Sequence, residues 1–326
     1  MKRRFYFIYL FIVVFCATGV AQDTHFSQYY ANPLYLAPSL AGSSQQSRVA
    51  AQYRDQWPSI PGKFVAYSFS ADHYFQKFKS GVGLRFLKEE MGTSGYNVSQ
   101  AALSYSYYIK LNRKWSFRPG VGIYYSQRSV DRSKTIFGDQ LYGDENSPSL
   151  SYSKFKNVSN VDVEASAMFN TENYWVGATL DHLARPDVSF MNRDYKLPIR
   201  YSLFTGYRFV FRRPYKKEFR YSITVSANYY LQGQNDQLDL GVYWNYKKFL
   251  AGFWYRGLPS FKQNAISDAA ILMLGYDFHG VKVAYSYDLT ISKLGPSTGG
   301  AHEIAFSYSF DLKPREKLTS VPCPHF

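Results

Sequence analysis

The feature that most constrains this chain is an alternation of apolar and polar side chains with a period of two, often sustained for ten or more positions. In 281–292, Val281, Val283, Tyr285, Tyr287, Leu289 and Ile291 share one face, while Lys282, Ala284, Ser286, Asp288, Thr290 and Ser292 share the other. Successive side chains of a strand point to opposite faces, so the stretch is a strand with one apolar and one polar side. About fourteen such segments recur, near 48–56, 63–74, 80–89, 96–109, 114–128, 158–169, 173–183, 197–211, 218–231, 237–246, 248–257, 266–278, 280–293 and 301–311. Many are about 10–14 residues long, against a mode of about 5–6 in soluble sheets. No amphipathic helix of useful length competes with them.

The two faces differ in chemistry. In 218–231 (EFRYSITVSANYYL), Phe219, Tyr221, Ile223, Val225, Ala227, Tyr229 and Leu231 oppose Arg220, Ser222, Thr224, Ser226, Asn228 and Tyr230. In 114–128 the apolar set is Trp115, Phe117, Pro119, Val121, Ile123 and Tyr125. Rings sit at the strand ends and aliphatic or small residues in the middle, as in the aromatic girdles of a barrel crossing an outer membrane. A soluble sandwich or lipocalin-like barrel would need the apolar face inside, and these strands are too tall for one. The expected fold is an all-β transmembrane antiparallel barrel of about fourteen strands, an even number as such barrels have.

Composition fits rings spread through a polar background. Aromatics make up 19% of the chain, with 31 Tyr and 26 Phe, yet the apolar total is 46% and mean hydropathy is negative. Residues 1–21 read separately. Lys2, Arg3 and Arg4 precede the apolar run Phe5–Phe15, and Gly19-Val20-Ala21 offers a small-x-small cleavage site, so a secretory signal peptide is expected. The run is short of the roughly 20 apolar residues a spanning helix needs. Lipidation at Cys16 is disfavoured because Val13-Val14-Phe15 lacks the small residues expected before such a cysteine. Cleavage after Ala21 would leave one cysteine, Cys323, and lower the formal charge from +14 to +11. One thiol makes no internal disulfide. The positive balance suits lipid headgroups, lipopolysaccharide or an acidic partner, and an exported chain is a poor nucleic-acid binder.

The connections divide by parity. With the mature N-terminus in the periplasm, the inward joints are Gln76-Lys77-Phe78-Lys79, Asn112-Arg113, Thr171-Glu172, Arg212–Lys217, Lys247-Lys248 and His279-Gly280, mostly tight and often basic. The outward joints include 129–157, 184–196, 258–265 and 294–300, longer and richer in Gly, Pro, Ser and Asp. Short periplasmic turns and long external loops are the pattern of outer-membrane barrels. Two ends lie outside residues 48–311. Residues 22–47 contain two prolines and no sustained period, and either plug the lumen or lie at its periplasmic mouth. Residues 312–326 form a basic, proline-broken periplasmic tail.

Motifs for catalysis are nearly absent, and a non-enzyme is expected. Ala301-His302-Glu303 lacks a second histidine at helical spacing, no G-x-S-x-G elbow occurs, and Gly120-Val121-Gly122 lacks a third glycine. The histidines are scattered, and no cofactor or metal set emerges. The external segment Asp139–Glu145 is either a calcium loop or a solvated one. The polar faces carry Arg118, Asp162, Glu164, Asp181, Arg200, Arg220, Asp239, Lys282, Asp288 and Glu303. In a barrel these face the lumen, either as a paired structural network or as the lining of a selective pore or binding cavity.

The stretch Asp23–Gly42 (DTHFSQYYANPLYLAPSLAG) resembles the opening of the PorP/SprF family of type IX secretion membrane proteins of Bacteroidetes. The resemblance continues through Tyr53-Arg54-Asp55-Gln56-Trp57, Ser267-Asp268, Leu274-Gly275-Tyr276-Asp277, Ala284–Asp288 with Ser292, Gly300-Ala301-His302-Glu303 and Cys323-Pro324-x-Phe326. Ala37 departs from it, at a position where asparagine is commoner. It implies an outer-membrane barrel that assists export or surface anchoring of a partner, often a large adhesin such as serves gliding motility, by binding its C-terminal domain. It also implies contact with periplasmic type IX components. The matched Asn32, Pro33, Tyr35, Pro38 and Gly42 are expected to fix the N-terminal segment rather than touch cargo. The competing expectation is a passive porin or uptake channel, biased toward anions.

Overall fold

The structure, a computed structural model, describes residues 25–93, 95–131, 156–190, 194–212, 219–258, 269–291 and 295–312. The expected signal peptide, the segment Asp139–Glu145 and residues 313–326 of the tail lie outside the described residues. Fourteen long strands close on themselves, all neighbours antiparallel, and a two-residue strand stands beside them. In chain order they are β1 (Ser47–Gln56), β2 (Phe64–Phe75), β3 (Ser80–Met91), β4 (Tyr96–Tyr107), β5 (Ile109–Lys110), β6 (Ser116–Val130), β7 (Val158–Asn170), β8 (Tyr174–Asp181), β9 (Arg200–Arg212), β10 (Phe219–Gln232), β11 (Asn235–Tyr246), β12 (Phe249–Leu258), β13 (Ala269–Phe278), β14 (Val281–Thr290) and β15 (Ala301–Phe310). β1 pairs with β15, and β4 pairs with β6, so every long strand has a neighbour on both sides.

The strands begin and end within a few residues of the alternation, with two differences that have local causes. The segment 96–109 is broken at Tyr108, whose amide donates to the Lys79 carbonyl while its ring turns inward; β5 then resumes the same path along β6. The segment 173–183 stops at Asp181, because His182 takes a left-handed φ of 59° and its amide donates to the Asp181 carboxylate.

Alternation decides which face meets what. Outward-pointing Leu203, Leu272 and Leu274 remain 55%, 61% and 68% exposed in the protein alone, with rings such as Tyr105, Tyr201, Phe209 and Phe249 nearer the rims. An apolar belt on this scale is unfavourable in water and is what a bilayer accepts. The rim where β1 starts and β15 ends also carries the tight joints at Lys247-Lys248 and His279-Gly280, and is therefore the periplasmic rim.

The interior is not the uniformly polar, wet lumen that the alternation suggests. On the β7–β13 side of the barrel, Met168, Trp175, Phe204, Tyr230, Tyr243, Trp254, Ile271 and Met273 point inward and form one buried apolar cluster. Large rings in that wall lie over glycines on the adjoining strand: Trp175 over Gly206, Phe204 over Gly177, and Trp254 over Gly241. A Cβ at any of these glycines would overlap the ring, so the missing side chain is what lets the aromatic lie down against the sheet.

Candidate functional site

Residues 25–46 run through the barrel interior. Three short helical turns, Tyr29–Ala31, Pro33–Leu36 and Pro38–Leu40, make this plug, two of them opened by a proline whose fixed φ and missing amide suit a first helical position. At the periplasmic end the plug touches the wall backbone to backbone. Ala41 lies against Gly81 and Ser39 against Gly120, while Leu34 sits over Gly83. The Ser106 hydroxyl donates to the Ala41 carbonyl at 2.7 Å. Leu36, Ala37 and Leu40 complete the apolar cluster of the wall.

Three of the five motif residues, Asn32, Tyr35 and Gly42, contact the wall, and the two prolines shape the plug itself. The Asn32 amide donates to the Ser68 hydroxyl at 2.6 Å. Pro33 and Pro38 open their turns. The Tyr35 ring meets Phe26 edge-on and lies between the guanidinium groups of Arg85 and Arg200, 5.3 and 5.7 Å from its centroid. Gly42 adopts φ +63° and donates its amide to Asp72, which also holds Arg48 through two hydrogen bonds.

The ten lumen charges named from the sequence fall into separate groups. Asp288, Glu303 and Asp239 gather in the outer half of the lumen around two arginines, Arg54 and Arg256. Arg54 is 2.8 Å from Asp288 and 3.1 Å from Glu303, and Arg256 is 3.1 Å from Asp288. Three carboxylates face two guanidinium groups here; Gln52 and Gln237 of the wall donate to Glu303 and Asp239, and the plug supplies further donors. The amides of Ser27 and Gln28 each donate to Glu303 at 2.8 Å, and the Tyr29 hydroxyl donates to Asp239. The Ser27 hydroxyl donates to Asp288 at 2.6 Å and accepts from Arg54 and Arg256 at 2.8 and 2.9 Å. Burying charges costs several kcal/mol per ion unless pairing and hydrogen bonds are complete. The plug supplies donors and an acceptor to all five charged side chains of this group, so it is part of the barrel's interior rather than an occupant of it.

Asp162, Glu164, Asp181 and Arg200 form a second group on the wall facing Tyr35. Arg200 is 2.7 Å from Asp181, and the Tyr124 hydroxyl lies within 3.0 Å of Asp162, Asp181 and the His182 ring. His182 Nδ1 is 2.9 Å from Asp162. Arg85 reaches Glu164 only at 3.8 Å. Arg118 belongs to neither group and lies buried between the rings of Tyr108 and Tyr74, at 5.2 and 5.9 Å. Lys282 is half-buried near the periplasmic rim, opposite Asp277 in the β13–β14 register. Arg220 stands at a register shift between β9 and β10, and its side chain is outside the described residues.

Several residues that organise the lumen were not among those ten. Arg54, Arg85 and Arg256 share the inward parity of their strands with Gln52, Leu87 and Trp254, so their direction was readable while their partners were not. Ser27, Gln28 and Tyr29 lie in the stretch that carries the resemblance, but a segment without a period gives no sign of what their side chains meet.

Comparison with known proteins places this architecture. The family model described as "Type IX secretion system membrane protein PorP/SprF" matches residues 18–308. Among curated proteins there is no match. Solved barrels with similar folds include Acinetobacter baumannii outer membrane protein Omp33, at 10% identity over 82% of this chain and 98% of that one, with a TM-score of 0.45. A Pseudomonas aeruginosa FadL homologue is 13% identical over 87% and 94%, with a TM-score of 0.49. A deletion mutant of TodX, a monoaromatic hydrocarbon channel, is 11% identical over 89% and 95%, with a TM-score of 0.47. At these values the three carry nothing about function.

Proposed function

This chain belongs to the PorP/SprF family of type IX secretion system membrane proteins and resides in the outer membrane, and from that premise we propose that it is a non-conducting, non-enzymatic docking partner for a secreted protein. It holds the C-terminal domain of that partner, a large adhesin, at the outer face during export or afterwards. The observation that carries this reading is the plug. The lumen is filled by the chain's own residues 26–44, tied to the wall by backbone contacts at one end and by the Ser27–Glu303–Arg54 group at the other. An interior occupied in this way leaves the rims as the working surfaces. The outer rim carries the long connections and offers the area for a folded domain. The periplasmic rim carries exposed Lys77, Lys79, Lys110, Arg113, Lys114, Lys247 and Lys248, a basic ring suited to acidic surfaces of periplasmic type IX components. Basic residues at the rims also suit anionic lipid and lipopolysaccharide headgroups.

Deletion of the gene, followed by surface labelling of intact cells and an uptake assay with a small hydrophilic dye, tests the proposal. The expected result is loss of one surface adhesin with unchanged permeability. Normal display of every surface protein would reject it, and a deletion strain that only takes up solutes more slowly would point to a channel instead.

A further inference from the structure

β8 is the shortest of the fourteen long strands, with 8 residues against 13 in each of its neighbours, β7 and β9. β7 pairs with β6 along its whole length but with β8 only from Ala165 to Asn170, so residues 158–164 run past β8 at the outer rim. Beyond Asp181 the chain does not continue alongside them. The Leu183 amide donates to the Val163 carbonyl at 3.1 Å, and the connection then crosses to the lumen face of β7. There the Ala184 amide donates to the Asp162 carboxylate, and the Asn160 side chain donates to the Asp187 carbonyl. Alternate residues of a strand aim their N–H and C=O groups at opposite neighbours. Val163 aims its own toward β8, so Val161 and Ser159 do too, and among the described residues these last four groups meet no hydrogen-bond partner. Ser159 is exposed, and Val161 is 56% exposed. Natural sheets guard such edges with charges or proline. β9 overhangs β8 in the same way at the periplasmic rim, and its overhang carries Arg208 and Arg212. The stretch 158–163 (VSNVDV) has no Lys, Arg or Pro, and its one acid, Asp162, is buried in the lumen.

We propose that this edge of β7 is a docking site for one extended strand of the secreted partner, taken up by the N–H and C=O groups of Ser159 and Val161. Donors and acceptors at strand spacing are matched by another extended backbone, and strand addition to an open edge is a recurring mode of polypeptide recognition. The height of the edge selects an occupant from outside the cell. Val161 stands opposite Tyr125, a ring of the outer girdle, and Ser159 stands opposite Gln127 beyond it, above the lipid. A second copy in the same membrane does not fit. Barrel strands tilt by about 35–45°, so two copies related by rotation about the membrane normal would cross their β7 strands at about 70–90°, where no ladder forms. This assignment deepens the docking role proposed above and rests on it.

Proline tests the backbone directly. The Val161 N–H faces the open side, so Val161→Pro deletes a donor from the edge and none from the ladder with β6, while Val161→Ala trims the side chain and keeps the donor. Each variant replaces the wild-type gene in cells, and the gel-mobility shift confirms a folded barrel. Val161→Pro is expected to lower surface display of the adhesin that gene deletion abolishes by about tenfold or more, the loss of one hydrogen bond of a short ladder. Val161→Ala is expected to leave display within about twofold of wild type. Ser159→Pro, at the same parity, serves if Val161→Pro does not insert. Wild-type display with a folded proline variant, together with loss on deletion, would overturn the strand site and leave the docking role standing. Equal losses with Val161→Pro and Val161→Ala would overturn it in favour of a side-chain contact. Normal display in the deletion strain would remove the docking role and this site with it. In the purified full chain in micelles, single-residue amide exchange by NMR is expected to be at least about tenfold faster at Ser159 and Val161 than at Asn160 and Asp162, which face β6. Slow exchange at Ser159 and Val161 would overturn the assignment, because the edge would then be covered by the chain itself or by a second copy.

Discussion

Trp254 lies over Gly241, its cross-strand partner in β11, so closely that a Cβ on residue 241 would overlap the indole. The ring is 1% exposed although it sits inside a membrane barrel, because it packs against Tyr29 of the plug and Tyr243 of the wall. One glycine therefore links the sheet, the apolar wall and the plug.

Gly241→Val is expected to destabilise the barrel by about 1–3 kcal/mol, the usual cost of overpacking. Trp254→Ala is expected to cost about 3–5 kcal/mol by leaving a cavity. Urea unfolding in lipid vesicles, read by the gel-mobility shift between folded and unfolded barrel, measures both. The valine variant should also show a changed environment for Trp254 in fluorescence.

Ser27→Ala removes the hydroxyl that serves Arg54, Arg256 and Asp288 at once. The expected loss is about 1–3 kcal/mol, the penalty for buried polar groups left without a partner. Ser27→Thr, which keeps the hydroxyl, is expected to recover part of it. The same unfolding assay compares the two.

Deleting residues 25–44 leaves Asp239, Asp288 and Glu303 facing Arg54 and Arg256 without the plug's amides and hydroxyls. We expect a barrel of lower stability that conducts in planar bilayers, while the full chain stays silent. Steady conductance from the full chain would contradict a filled lumen.

Gly42→Val meets two obstacles. Its φ of +63° disfavours a β-branched residue, and its Cβ would stand 2.9 Å from the Gly81 Cα and 3.1 Å from Tyr74. The periplasmic end of the plug is expected to detach, detected as faster proteolysis near residue 42 with the barrel intact.

Leu272→Arg places a charge on the lipid face near the middle of β13, where Leu272 is 61% exposed in the protein alone. The expected cost is about 2–4 kcal/mol at the midplane. Leu312→Arg, beyond the end of β15, is expected to cost almost nothing by the same assay.

Much of the architecture was legible from residue order. The alternation in 218–231 and 281–292 located β10 and β14 to within a few residues and assigned Val225 and Tyr285 to lipid and Ser226 and Asp288 to the interior. The apolar half of the lumen was harder to read. Trp175 and Trp254 are lone rings at the inward positions of their strands, beside Gly177 and Thr179 or Gly252 and Arg256, and an isolated ring on such a face reads the same whether it meets water or another ring.

What the sequence by itself determined is therefore strand, face and rim, because each depends on neighbours one or two residues away and on the thickness of a bilayer. Only the tertiary structure decided what fills the barrel. Ser27 meets Glu303 across 276 positions, and Arg54 meets it across 249. Such contacts arise from closure, which brings β1 against β15 and wraps the wall around an aperiodic segment. No local pattern encodes them, since the partners that satisfy a buried charge are chosen by geometry once the barrel has closed.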